Sequence, residues 1–210
     1  STRKESSAAS DVYKRQKSFC SGATGSDMLN ITAPRSADPA DRVFLSIPTA
    51  RDGVNVLDDW DNLGQRQTDS GSVTFEKVRV EAHEVLGPPG TSGTPRATLR
   101  TLVSQLILIE IYIGNAQGAL LNAWKYTHEQ GRPWFTSGVA RAIDDPFTQQ
   151  HYGDLRIALR GAIALAEDAA AKLQKAWERG DALSAEERGT LAVTIYETKI
   201  AAARAALDIT

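Results

Sequence analysis

Asp59-Trp60-Asp61-Asn62-Leu63-Gly64-Gln65-Arg66-Gln67-Thr68-Asp69-Ser70-Gly71 is the stretch whose reading decides the fold of this chain. It is a polar loop carrying one isolated Trp and one Arg, and it opens a strand pair. Ser72 to Phe75 and Val78 to Val80 follow as short apolar or β-branched runs. Glu76-Lys77 between them fits either a tight connection or one continuous twisted strand. Upstream, Met28 to Ala33 and Val43 to Ile47 read the same way, punctuated by Gly, Pro, Asp and Asn as turns between strands require. Downstream, Pro88-Pro89-Gly90 and Thr91 to Pro95 break the pattern, so a domain boundary is expected between about Gly87 and Arg96.

Beyond that boundary the period changes from strand to helix. From Ala97 to Glu129, Leu102, Leu106, Ile109, Ile113 and Ala116 recur at helical spacing. Gly114 and Gly118 sit four apart on one face, where small residues let another helix approach closely. Asp144 or Asp145 followed by Pro146 supplies a cap and a first-turn proline. The helix they open is expected to run to Glu178 and to end at Gly180 in a left-handed cap. Ser184-Ala185-Glu186-Glu187 is a capping box, and Leu191, Ile195, Ile200 and Ala203 predict the core stripe of a third helix. The fold class is therefore α+β: a partial β-barrel or sandwich over residues 17–90, then an antiparallel helical bundle over 96–210 that lacks at least one member.

Composition narrows the function classes. A formal net charge of -2 and a pI near 5.9 advertise neither nucleic acid nor an anionic membrane. No apolar run reaches the roughly 18 residues that cross a bilayer, because Ser104, Gln105 and Glu110 interrupt Leu102 to Ile113. The single Cys20 excludes an internal disulfide framework and fits a reducing cytoplasm. His83, His128 and His151 lack metal-ligand spacing, so no metal is expected. Gly22-Ala23-Thr24-Gly25 lacks both the Lys of a phosphate loop and the spacing of a dinucleotide fingerprint. Glu167 and Asp168 read as a solvated helix face.

Ser6 to Gln16 back-translates into a transposon-type sequencing adapter, so residues 1–16 are expected to be a non-native tail preceding Lys17. With no cap or breaker at Ile209-Thr210, both ends are expected to be truncated.

Set beside Ser18-Phe19-Cys20-Ser21-Gly22-Ala23, the 59–71 segment resembles the flavin-binding middle domain of the acyl-CoA dehydrogenase superfamily. Within it, the likeness is to the reduced-flavin-dependent monooxygenase branch that dibenzothiophene monooxygenase typifies. Further blocks carry the resemblance over nearly all of Lys17 to Thr210: Ile47 to Val54, Glu84 to Gly87, Asp145 to Thr148 and Gly180 to Leu183. The strand that usually bears Trp-x-Thr against the flavin has Phe19 and Ser21 here, the pairing of the monooxygenase branch. On a strand these two side chains share one face, offering a flat apolar surface and a hydroxyl near N5 or C4a of the ring. Cys20 is then expected to point the opposite way, into the core.

The resemblance implies that Trp60 lines the pocket over the reacting edge of the flavin; read alone, Trp60 could equally fold back over the sheet and bond its N–H. Arg66 and Ser70 lie beside flavin and substrate without a firm role, and Arg66 could simply pair with Asp59, Asp61 or Asp69. Arg132, in Arg132-Pro133-Trp134, is implied as an FMN phosphate ligand across a subunit interface, against the alternative of an exposed loop arginine. The catalytic candidates are thus Ser21 and Trp60, and the cofactor-binding candidates Phe19, Ser21, Trp60 and Arg132.

The activity this implies is two-component. A flavin reductase supplies FMNH2, and a homotetrameric cytoplasmic enzyme oxygenates a small apolar organosulfur compound through a C4a-hydroperoxyflavin. Two rivals make different predictions. An FAD-dependent acyl-CoA dehydrogenase would carry its catalytic Glu and adenine-binding motif beyond Thr210, and a non-catalytic helical interaction module would bind no flavin. This chain alone is expected to be inactive.

Overall fold

The computed structural model describes residues 13–35, 41–87 and 91–210. The Pro88-Pro89-Gly90 breaker and most of the 1–16 tail lie outside these residues. The chain divides into two compact units, 1–94 and 95–210.

In the first unit the described strands are β1 (Tyr13–Lys17), β2 (Met28–Pro34), β3 (Arg42–Pro48), β4 (Val54–Val56), β5 (Val73–Val78) and β6 (Val85–Leu86). They form two antiparallel three-stranded sheets, in the orders β1-β5-β4 and β2-β3-β6. Alternation along β3 and β5 sends Leu45, Ile47, Val73 and Phe75 into one shared core. β5 runs without a break through Glu76-Lys77, which removes the tight-turn alternative. Lys77 has φ 52° there. The pairing with β1 steps from Val78↔Tyr13 to Phe75↔Arg15, so two residues of β5 face one of β1. This bulge is what returns Val78 to the core, 1 % exposed, while Glu76 and Lys77 face solvent.

The strands differ from the sequence reading in three places. Val80 lies outside β5, and the three-residue β4 had no sequence signal. β1 begins at Tyr13 rather than Lys17, because backbone pairing to β5 reaches into the stretch set aside as a tail.

The turn before β4 depends on Gly53. It has φ 87°, and a Cβ there would lie 2.1 Å from the Glu76 carbonyl oxygen. Its own carbonyl accepts the Glu76 N–H at 2.8 Å. Beside it, Arg51 donates to Glu84 at 2.5 and 2.7 Å and to the Arg79 carbonyl at 2.7 Å. Glu84 also accepts the Glu81 N–H, so this nearly buried carboxylate is fully paired.

The second unit holds α1 (Pro95–Glu129), α2 (Pro146–Glu178) and α3 (Ala185–Ile209). Local signals set their ends. Asp145 accepts the Phe147 and Thr148 N–H groups with Pro146 at the first position, and Gly180 takes φ 58°. Ser184 and Glu187 exchange hydrogen bonds at 3.1 and 2.9 Å. Leu102, Ile109 and Ile113 of α1 pack on an alanine-rich seam formed by Ala162, Ala166 and Ala169 of α2 with Ala202 and Ala205 of α3.

The α3 stripe differs from its expectation. Ile200 is 53 % exposed and Ala203 half-buried, while Thr198 is fully buried and donates to the Thr194 carbonyl. By length and composition α1 is apolar enough to cross a membrane, which corrects the expectation that no stretch is. Among the described residues nothing lies within 4 Å of a Cβ built on Gly114 or Gly118, so no helix of this chain fills that notch.

Candidate active site

The candidate residues of the β unit sit on two loops, 18–24 after β1 and 57–72 before β5. Backbone bonds zip the loops together: Cys20 N–H to the Gly71 carbonyl at 2.9 Å, and Gly22 N–H to the Asp69 carbonyl at 2.9 Å. The Asp69 carboxylate caps the first loop by accepting both the backbone N–H and the hydroxyl of Thr24. Within the second loop, Asp59 accepts the Ser72 N–H at 2.7 Å, and that bond holds its carboxyl below the usual carboxylate range. Gly71 has no room for a side chain, since a Cβ would lie 2.8 Å from both Asp59 Oδ1 and the Leu57 carbonyl.

These loops are conformationally demanding. Phe19, Gln65 and Asp69 all adopt left-handed φ, at 58°, 53° and 46°. Side chains other than Gly pay for such conformations unless the surroundings enforce them. The zipper and the Asp69 cap are that enforcement.

Phe19 and Ser21 are not on a strand, because β1 ends at Lys17. They reach the site from a loop instead. The Phe19 ring is 74 % exposed and meets Trp60 edge to face, with centroids 5.9 Å apart at 74°. Trp60 is half-buried and donates its indole N–H to the Gln65 carbonyl at 2.9 Å. Both readings of Trp60 thus have a geometric counterpart: its N–H is satisfied, and one edge faces an exposed aromatic.

Ser21 Oγ lies 2.7 Å from Ser70 Oγ, which lies 2.7 Å from Thr68 Oγ1. Cys20 packs against the β core as expected, and burial pushes its thiol pKa up, keeping it protonated. Arg66 pairs with Asp61 at 2.8 Å on the surface and stays out of the cluster.

The structure therefore brings Phe19 to Trp60, and Ser21 to Ser70. Arg132 belongs to the other unit, exposed in the loop after α1, with Trp134 and Phe135 forming an exposed aromatic pair nearby in sequence. The helical unit also holds a groove of about 770 Å³ between α1 and α2, lined by Leu120, Leu121, Trp124, Tyr152, Arg156 and Arg160. Sequence reading missed Thr24, Thr68 and Asp69. Their signal was the alternation Thr68-x-Ser70, two hydroxyls two residues apart in a loop that bends back on itself.

Comparison with known proteins bears on this geometry. Residues 106–210 match the family described as Acyl-CoA dehydrogenase, C-terminal domain. The chain is 45 % identical over 197 residues to the "Probable FMNH2-dependent monooxygenase SfnC" of Pseudomonas putida, covering 94 % of this chain and 50 % of that protein. It is 44 % identical over 206 residues to the dibenzothiophene monooxygenase of Rhodococcus erythropolis, covering 94 % and 49 %. The solved structure of methanesulfinate monooxygenase MsuC from Pseudomonas fluorescens superposes with a TM-score of 0.82 at 43 % identity, over 96 % of this chain and 53 % of that one. The chain spans about half the length of the curated relatives it matches.

Proposed function

We propose, from the premise that this chain belongs to the acyl-CoA dehydrogenase family, that its β unit carries one wall of the flavin site of an FMNH2-dependent monooxygenase. The observation that carries this reading is the exposed Phe19 ring held against Trp60, with the Ser21 hydroxyl on the same zippered loop pair. A flat heteroaromatic ligand needs an apolar surface and a placed hydrogen-bonding group, and these residues fit both needs. The relatives named for FMNH2, dibenzothiophene and methanesulfinate support FMN as cofactor and a small organosulfur compound as substrate.

Bound FMNH2 would supply the two electrons with which O2 leaves one oxygen atom on the substrate sulfur and the other in water. The protein's part is positioning and exclusion. Phe19 and Trp60 wall the ring and keep water from the reacting edge. Ser21 orients the ring by a hydrogen bond at its N5 edge. Arg132 of a neighbouring copy holds the phosphate through its planar fork, in an assembly of four copies. The working enzyme sits in the cytoplasm beside a separate flavin reductase, in a desulfurization role.

The test uses the complete protein that carries this chain, with a flavin reductase, FMN, 18O2 and either dibenzothiophene or methanesulfinate. Product carrying one 18O atom per turnover is the expected result. Failure to bind FMN in either oxidation state would leave the helical interaction module standing. Bleaching of bound FAD by an acyl-CoA would replace the monooxygenase with a dehydrogenase.

A further inference from the structure

The hydroxyls of Ser21, Ser70 and Thr68 form a chain that ends on a carbonyl. Thr68 Oγ1 lies 2.9 Å from the Gln65 carbonyl oxygen, and the two hydroxyl contacts that follow are each 2.7 Å. A carbonyl can only accept, and each hydroxyl carries one hydrogen.

Only one assignment of the three hydrogens satisfies every contact. With Thr68 donating to Gln65, Ser70 must donate to Thr68 and Ser21 to Ser70, which makes three bonds. In the reverse sense Thr68 donates to Ser70 and Ser70 to Ser21, which makes two. That arrangement also leaves two oxygen lone pairs facing each other across 2.9 Å. The first polarity therefore holds. The alternative acceptor for Ser70, the Thr68 carbonyl at 3.5 Å, is too distant to compete. Ser70 is only 6 % exposed, so water does not substitute for these partners. The terminal acceptor is itself fixed: Gln65 takes φ 53°, and the Trp60 indole N–H donates to the same oxygen.

The consequence falls on Ser21. Its hydrogen is committed inward, and only lone pairs face outward. We infer that Ser70 and Thr68 are positioning residues that hold Ser21 as a hydrogen-bond acceptor toward its ligand. The site then selects a flavin whose N5 bears hydrogen, the reduced form, over the oxidised form, whose N5 offers only a lone pair. This rests on the flavin reading above and gives it a direction: the chain favours FMNH2 on arrival and FMN on departure.

The experiment is an anaerobic titration of the complete protein with FMNH2, and a parallel titration with FMN, followed by flavin fluorescence and absorbance. Ser70→Ala cuts the chain and frees the Ser21 hydrogen to donate to oxidised N5. The ratio of the FMN to the FMNH2 dissociation constant should fall about fivefold, mainly through tighter FMN binding. Ser70→Thr restores the hydroxyl and should restore the ratio. Thr68→Val, which cuts the chain at its far end, should lower it as Ser70→Ala does. Added to Ser21→Ala, Ser70→Ala should have no further effect. An unchanged ratio in both Ser70→Ala and Thr68→Val, with FMN and FMNH2 still bound, overturns the inference and leaves the flavin reading intact. Wild-type protein that binds neither form removes both.

Discussion

Phe19 and Trp60 meet edge to face with their centroids 5.9 Å apart, although they lie on separate loops and Phe19 holds a left-handed φ to get there. Such a pair contributes about 0.5–1.5 kcal/mol beyond the area it buries. A double-mutant cycle with Phe19→Leu and Trp60→Leu should recover a coupling of that size in thermal or denaturant unfolding. In the complete protein, Trp60→Leu should also raise hydrogen peroxide release per substrate consumed, because the wall then admits water. A peroxide yield equal to that of wild type would remove Trp60 from the pocket.

Gly53 makes a different kind of demand. A Cβ there would lie 2.1 Å from the Glu76 carbonyl oxygen, in a backbone conformation of φ 87° that side chains avoid. Gly53→Ala must displace β4 from β5 or break the Glu76 N–H bond to Gly53. A loss of more than about 2 kcal/mol is expected, measurable as a lower denaturant midpoint. Hydrogen exchange should speed up at Glu76 first.

The Arg51–Glu84 pair predicts an acid limb to the stability curve. Burial pushes the Glu84 carboxyl pKa up, but the Glu81 N–H and the Arg51 guanidinium outweigh it and hold the carboxyl below its ordinary value. A carboxyl lowered on folding contributes stability that is present above its unfolded pKa, about 4.3, and lost as pH falls through the folded value. Unfolding of the β unit should therefore steepen below about pH 4. Glu84→Gln should flatten that limb and cost about 2–3 kcal/mol at neutral pH by leaving the half-buried Arg51 unpaired. Melting curves from pH 3 to 7 on both proteins check the sign and the size.

What was legible in the sequence was what neighbours in the chain decide. Asp145-Pro146 and Ser184 to Glu187 carry their own caps, so the starts of α2 and α3 could be read directly. Ile200 was not legible as exposed, because apolar character marks a residue that can be buried, not one that is. On α3 the small side chains of Ala202, Ala205 and Ala206 face the other helices, and Thr198 fits among them by bonding back to its own turn. β4 exists only through its pairing with β5, about twenty residues on, a contact with no local period. At the site, residue types were readable and geometry was not. Extending the strand through Phe19 and Ser21 assumed a two-residue alternation that the left-handed Phe19 breaks. The Ser21–Ser70 bond joins positions 49 apart, so only the folded loops reveal it.

Arg132 offers the test that separates a phosphate ligand from a solvated loop residue. It is exposed within this chain and makes no ion pair among the described residues, so its guanidinium is available for an outside anion. A planar fork binds phosphate bidentately, whereas Lys offers only a point charge. Arg132→Ala in the complete protein should weaken FMN about tenfold or more, and Arg132→Lys should recover only part of the loss. Riboflavin, which has the same ring and no phosphate, should bind wild type and Arg132→Ala equally well. Stability should stay within about 0.5 kcal/mol, as expected of a surface position. Parallel loss of riboflavin and FMN affinity would mean that Arg132 shapes the site without touching the phosphate, and no loss of either would return it to solvent.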